Sequence, residues 1–286
     1  VRIVTQPQEL QKICIDMRLQ GKKVGLVPTM GYFHQGHVSL MDHARRHADV
    51  VVVSLFVNPA QFAPTEDLDR YPRDFERDRR LAEAAGVDIL FAPEPAGMYA
   101  SDAATFVAVE GVSAGLCGAS RPTHFRGVAT VVTKLFMLAQ PSFAVFGEKD
   151  RQQLAVIARM VRDLNIPVAV VGRPIVREPD GLALSSRNVF LTREERGQAP
   201  WINKALEAAE ALASSGIRET ATILSAARDI LAAHAPLGEV DYLEAVDPDS
   251  MRPVARVEGP VVLAAAVRFS KARLIDNRLA APPEAA

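Results

Sequence analysis

Apolar residues fall in short, continuous runs that alternate with longer stretches of helical periodicity through the first two-thirds of the chain. Val24–Val27, Val50–Val57, Val87–Phe91, Ser142–Phe146 and Val168–Gly172 have the length and β-branched content of buried strands. Between them, Gly36–Ala48, Arg73–Ala85, Gly127–Ala139 and Arg151–Leu164 read as helices, with Gly86 closing the second. Strands that are apolar throughout, separated by helices, imply a parallel sheet covered on both faces. The expected fold is therefore a doubly wound, Rossmann-like α/β domain, with ligands at the carboxyl ends of its strands.

The pattern changes after about Arg177. Two Ala-rich helical stretches, Glu194–Ser214 and Glu219–His234, come first. Thr192 and Glu195 have capping-box spacing before the first of them. Asp241–Ala245, Val261–Val267 and Ala272–Ile275 then read as strands. Helices followed by strands suggest a smaller α+β domain. The expected division is 1–177 for the Rossmann-like domain and 178–286 for an α+β domain that covers the site. The final Ala-Pro-Pro-Glu-Ala-Ala is expected to fray. Gly127–Ala139 is apolar nearly all round, which suits either core or a subunit interface.

A chain of 286 residues, 49% hydrophobic, can bury a sizeable core. Its formal charge of −1 disfavours a nucleic-acid partner, although a local basic patch could still hold a phosphate-rich small molecule. Two cysteines, Cys14 and Cys117, make neither a disulfide framework nor a metal pattern. A reducing cytosol is the expected location. Val1–Leu10 lacks the apolar core of a signal peptide, and no apolar run is long enough to span a bilayer.

The chemistry begins at Pro28-Thr29-Met30-Gly31-Tyr32-Phe33-His34-Gln35-Gly36-His37, between the first strand and its helix. Gly31 and Gly36 let the backbone approach a ligand, and the helix start offers unpaired N–H groups to an anion. His34 and His37 can donate to phosphate oxygens there. Two plainer readings compete. The pair could be metal ligands, but no neighbouring Cys or third His completes a set. They could also be surface histidines in a turn. Neither a Walker P-loop nor a Gly-x-Gly-x-x-Gly fingerprint is present.

His34-Gln35-Gly36-His37 resembles the His-x-Gly-His signature of the nucleotidyltransferase superfamily. The longer Pro-Thr-Met-Gly string resembles the pantothenate synthetase family within it. Further segments agree with that resemblance, in order along the chain.

Phe56-Val57-Asn58-Pro59-Ala60-Gln61-Phe62 follows a strand end and reads either as a pocket wall or as a plain Asn-Pro turn. The resemblance makes Gln61 a pantoate ligand that also meets β-alanine. Gly147-Glu148-Lys149-Asp150 follows another strand and is either a phosphate-neutralising site or a solvated charged turn. It matches the family string except at Arg151, where the family carries an aromatic residue. Gln153 aligns with a second pantoate-binding glutamine.

Val176-Arg177 and Leu184-Ser185-Ser186-Arg187 resemble the family's counterpart of a mobile phosphate-closing loop. Their hydroxyls and guanidinium suit phosphate, while a Ser-rich turn is the plainer reading. The resemblance would place Val176 at the adenine. Arg121, His124 and Arg126 either contact substrate or pyrophosphate or only order their loop. Leu274-Ile275-Asp276-Asn277 is also family-like.

The resemblance covers nearly the whole chain and implies an ATP-dependent, AMP-forming ligase. Pantoate would be activated as pantoyl-adenylate with release of pyrophosphate, and β-alanine would displace AMP to give pantothenate. His37, His34 and Lys149 are the implied catalytic residues. Met30, Gly31, Gly36, Gly147, Glu148, Asp150, Val176, Leu184, Ser185, Ser186 and Arg187 join them at ATP. Mg²⁺ would arrive with ATP, with no tightly bound prosthetic group and no protein metal cage. A cytoplasmic homodimer, with no membrane partner, is implied. The rival readings are an adenylyltransferase of the same superfamily acting on a phosphate ester, and a non-catalytic nucleotide- or tRNA-binding module.

Overall fold

The computed structural model describes residues 1–63 and 68–283. Of the terminal segment expected to fray, 284–286 lie outside the described residues. In chain order the elements are β1 (Arg2–Val4), α1 (Pro7–Leu19), β2 (Val24–Thr29), α2 (Gln35–His47), β3 (Val50–Leu55), α3 (Phe75–Ala84), β4 (Ile89–Phe91) and α4 (Pro95–Met98). Then come α5 (Cys117–Ser120), α6 (His124–Ala139), β5 (Phe143–Gly147), α7 (Arg151–Asp163), β6 (Ala169–Arg173), α8 (Arg193–Gln198), α9 (Trp201–Ser214) and α10 (Thr220–His234). The last are β7 (Glu239–Val246), β8 (Val261–Arg268) and β9 (Arg273–Ala280). The chain forms two compact units. One comprises Val1–Val109, Arg121–Glu148 and Val156–Pro174, and the other Glu110–Ser120, Lys149–Ala155 and Ile175–Ala286.

The first unit is built on a six-stranded sheet in the order β1-β4-β3-β2-β5-β6. Every pairing in it is parallel, as the continuous apolar strands predict. The chain steps outward from β2 to β3 and β4, then returns to the other side of β2 for β5 and β6. The order reverses between β2 and β5, and such a switch point opens a crevice at the strand ends. Val27, Val51, Val53 and Leu90 pack in one cluster with Phe33, Leu40, Met41 and Ala44 of the α2 region. Helices α1 and α6 pack on each other and against β2.

Of the two roles open to the apolar helix, α6 takes that of core. Val128, Val131, Val132, Leu135 and Phe136 are all buried. Among the described residues no helix is long and apolar enough to cross a membrane.

The second unit contains an antiparallel sheet, β7-β8-β9, against α9 and α10. Its core joins Leu206, Ile223 and Leu231 to Leu263, Val267 and Leu274. The single helix expected over Glu194–Ser214 is two helices. Pro200 stands at the N-cap of α9 and has no N–H with which to continue α8. The strand expected at Ala272–Ile275 runs on to Ala280, because its polar centre finds partners. The element at β1 and α1 goes beyond the sequence reading. Its buried Pro7, Leu10 and Cys14 nevertheless keep a helical period.

The capping box at α8 forms as its spacing predicts. The Thr192 hydroxyl accepts from the Glu195 N–H, and the Glu195 carboxylate accepts from the Thr192 N–H at 2.8 Å. The other carboxylate oxygen accepts from the Ser270 N–H at 2.9 Å. The Thr192 amide, helped by Ser270, holds the Glu195 carboxyl at about 2 against an ordinary value of 4.5. A lowered folded-state value stabilises the fold above about pH 4.5 and is lost as pH falls towards about 2. Glu195→Gln should therefore cost thermal stability at about pH 6 and progressively less towards about pH 3. A wild-type-minus-variant difference that does not shrink with acid would disprove this linkage.

Candidate active site

The turn from β2 into α2 is shaped by a buried carboxylate. Gly31 stands at φ +88°, and a Cβ there would meet the Asp78 Oδ2 at 3.1 Å and Leu55 at 3.2 Å. Asp78 of α3 is 1% exposed. It accepts from the Tyr32 N–H at 2.6 Å and the Phe33 N–H at 2.7 Å. Burial pushes its carboxyl up, and the two amides and Arg77 pull against that without reversing it. An unpaired buried donor costs about 1–3 kcal/mol, so Asp78 gives this turn one conformation.

That turn delivers the two histidines to the N-terminus of α2. The His34 Nδ1 accepts from the Gly36 N–H at 3.1 Å, and the His37 Nδ1 accepts from the His34 N–H at 3.3 Å. The rings lie 4.1 Å apart between centroids. A backbone N–H can only donate, so both Nδ1 atoms are acceptors. In the neutral rings the proton is then on Nε2. The pair combines two N–H donors of fixed tautomer with the positive end of a helix, a combination that suits an anion.

Gln61 lies in a 3-10 turn, Pro59–Gln61, after β3. It is 7% exposed, and the Asn58 beneath it is fully buried. The Asn58 Nδ2 donates to the Gln61 Oε1 at 3.2 Å and to the Gly127 carbonyl at 3.1 Å. Its Oδ1 accepts from the Tyr99 hydroxyl at 2.8 Å. Burial pushes that hydroxyl up to about 12, so it stays a donor. The Gln61 Nε2 reaches the Met30 Sδ at 2.8 Å, which joins this turn to the histidine loop.

Arg121 and the His124 Nδ1 both bond the Gln61 carbonyl, at 3.2 and 3.0 Å. Arg126 stacks on Phe106. Contacts that order a loop are thus present for Arg121 and His124. At Asn58–Gln61 the expected turn is present.

The second unit holds a separate set. Lys149 and Asp150 sit in the 3-10 turn Glu148–Asp150, with the ammonium 3.5 Å from the Asp150 carboxylate. Arg151 opens α7 and is half-buried, as is Gln153. Its neighbour Gln152 is buried, donating to the carbonyls of Val112 and Gly115 and accepting from the Cys117 N–H. Leu184 N–H donates to the Val176 carbonyl. Ser185 caps a 3-10 turn, Ser186–Phe190, by accepting from the Arg187 N–H. The Ser186 side chain is buried. A small cavity is lined by Lys149, Ser185, Asn188, Leu274, Ile275 and Asp276.

The structure thus joins Met30, Gly31, His34, Gly36, His37 and Gln61 in one unit, which also holds Gly147 and Glu148. It joins Lys149, Asp150, Gln153, Val176, Leu184, Ser185, Ser186 and Arg187 in the other. Sequence reasoning passed over Asp78, whose partners lie 45 and 46 residues away, and the role of Asn58 beneath Gln61.

A parallel α/β sheet with a histidine-bearing helix N-terminus beside its switch point is the architecture of a nucleotide-using α/β enzyme. The family model for pantoate-β-alanine ligase matches residues 2–279. The chain belongs to that family, whose members form an amide bond. It is 58% identical over 279 residues to a pantothenate synthetase of Nitratidesulfovibrio vulgaris, covering 98% of this chain and 99% of the relative. The crystal structure of pantothenate synthetase from Thermus thermophilus superposes with a TM-score of 0.92 at 51% identity, covering 97% of this chain and 99% of that one. The pantoate-β-alanine ligase of Francisella tularensis, complexed with β-γ ATP and β-alanine, gives a TM-score of 0.81 at 30% identity, covering 98% and 97%. These relatives do not favour the rival reading of adenylyl transfer to a phosphate ester.

Proposed function

We propose that this chain uses MgATP to activate pantoate as pantoyl-adenylate and then passes the acyl group to β-alanine. The fixed Nε2–H donors of His34 and His37 at the α2 N-terminus carry this reading. A free carboxylate is a poor acyl donor, since its leaving group would be oxide. Attack of the pantoate carboxylate on the α-phosphorus of ATP releases pyrophosphate. The β-alanine amine then attacks the acyl carbon, and AMP leaves. No covalent bond to the protein is required, so catalysis rests on positioning and on stabilising developing negative charge.

His34 and His37 donate to the phosphates, with His37 also the proton donor. Lys149 balances charge on the departing pyrophosphate, and Ser185, Ser186 and Arg187 bind phosphate oxygens. Met30, Gly31, Gly36, Gly147, Glu148, Asp150, Val176 and Leu184 complete the ATP contacts. Gln61 and Gln153 orient pantoate, and Gln61 also meets β-alanine. The Asn58 amide supports this use of Gln61, because its donation to the Oε1 fixes which end of the Gln61 amide carries the N–H groups, one of which is turned to the Met30 Sδ. Mg²⁺ enters on the nucleotide, held mainly by phosphate and water. The family resemblance supports a homodimer in the cytoplasm, and a monomer mass in light scattering at micromolar protein would rule the dimer out.

The deciding experiment follows pyrophosphate and AMP from MgATP, with pantoate and β-alanine added singly and together. Pantoate alone should give one equivalent of pyrophosphate per site. Sustained AMP release should need both acids. Pyrophosphate release with a phosphate ester but not with pantoate would instead favour the rival adenylyltransferase.

A further inference from the structure

Strand β9 carries two polar residues at its centre, Asp276 and Asn277, which are 4% and 9% exposed. Their register opposite Ala265 and Ala264 lies in the middle of the β8–β9 ladder, where the backbone is held by its neighbour. Polar groups in such a place cost stability unless they are fully paired. Both are paired, and the partners lead to the groups proposed to handle phosphate.

Asn277 donates from its Nδ2 to the main-chain carbonyl of Lys149 at 3.0 Å. Asp276 makes a two-pronged pair with Arg177, at 2.6 Å to Nη1 and 2.9 Å to Nη2. The same Arg177 Nη1 donates to the Gly181 carbonyl at 3.1 Å. Arg177 also bridges to Ala183, two residues before Ser185. The Asp276 Oδ1 accepts from the Asn277 N–H at 2.8 Å, so the two residues are tied to each other as well. One strand thereby holds the main chain of Lys149 with one residue and the turn leading to Ser185 with the next. The cavity lined by Lys149, Ser185 and Asp276 lies where these supports converge.

A lysine side chain has four rotatable carbons, so the place of its ammonium depends first on where its main chain is held. A 3-10 turn of three residues has few bonds of its own to do that. We propose that Asn277 is a positioning residue for Lys149. The inference rests on the reading of Lys149 as a phosphate-stage residue, and the test separates the two.

The rate of pyrophosphate release in a single turnover, with MgATP and pantoate, is measured for wild type, Asn277→Ala, Lys149→Ala and the double variant. Misplacing a catalytic group can cost about 100-fold, so Asn277→Ala should slow this step by about 10- to 100-fold. In the Lys149→Ala background the same change should have little further effect, because the group it positions is gone. An equal loss in both backgrounds would overturn the positioning role while leaving Lys149 in place. So would a lowered thermal midpoint with an unchanged rate. Near-normal release in Lys149→Ala alone would instead refute the reading of Lys149. Asn277→Leu keeps the volume without the donor and repeats the test. Failure of both Asn277 variants to fold would overturn the proposal in favour of a purely structural role.

Discussion

Replacing His37 by alanine should lower kcat by about 10²–10³, the usual cost of removing one donor that serves the transition state. The pantoate KM should change far less. His37 has two jobs on its two nitrogens. Its Nδ1 accepts the His34 amide and helps to cap α2, which puts the proton of the neutral ring on Nε2. Losing the cap costs about 0.5–2 kcal/mol of stability, which a thermal melt reads separately from turnover. Two further variants divide the jobs. His37→Gln reaches the Nε2 position with an amide donor, whereas His37→Asn reaches only the Nδ1 position. Glutamine should therefore keep more activity than asparagine, and asparagine more of the helix cap. Lys149→Ala should show a comparable fall in kcat. Turnover near wild type in His37→Ala would remove the histidine from the chemistry.

The second large effect is on folding. Gly127 lies in α6 where the Asn58–Gln61 turn crosses it. A Cβ there would stand 2.2 Å from the Ala60 carbonyl oxygen, 2.5 Å from its carbon and 2.6 Å from the Gln61 Cα. All three are backbone atoms, so no rotamer change relieves the clash. Elsewhere in a helix, Gly→Ala gains about 0.8–1 kcal/mol. At this site the overpacking should win, since a clash with backbone belongs at the upper end of the usual cost of about 1–3 kcal/mol. Gly127→Ala should lower the thermal midpoint by roughly 5–10 °C. The displaced turn carries Gln61, so the pantoate KM should rise as well. A variant as stable as wild type would mean that the turn and α6 do not touch so closely.

Much of the fold was legible because local physics and tertiary packing agree there. Val50–Leu55 is apolar on both faces and sits inside a parallel sheet. The Thr192–Glu195 spacing demanded a cap, and the cap formed. Errors arose where one residue carried the decision. Pro200 splits an otherwise continuous Ala-rich pattern into α8 and α9. Asp276, Asn277 and Arg278 read as the end of a strand until Arg177, Lys149, Glu207 and Glu210 are seen to satisfy them.

The histidine motif, Gln61, Lys149 and the Ser185–Arg187 segment stood out by residue type and by position after strands. Their supports did not, because Asp78 reads as one more charge on a charged helix and Asn58 as a turn former. Sequence alone determined the alternation of strands and helices, the parallel sheet, the glycine- and histidine-bearing helix start and the family, since these depend on contacts within a few residues or on strings of residues in order. Only the tertiary structure decided the strand order, the tautomers of the two histidines, the Asp78 and Asn58 supports and the grip of β9 on Lys149. Each of these depends on a hydrogen bond or close approach between residues that chain spacing does not bring together, or on which ring nitrogen meets a backbone N–H.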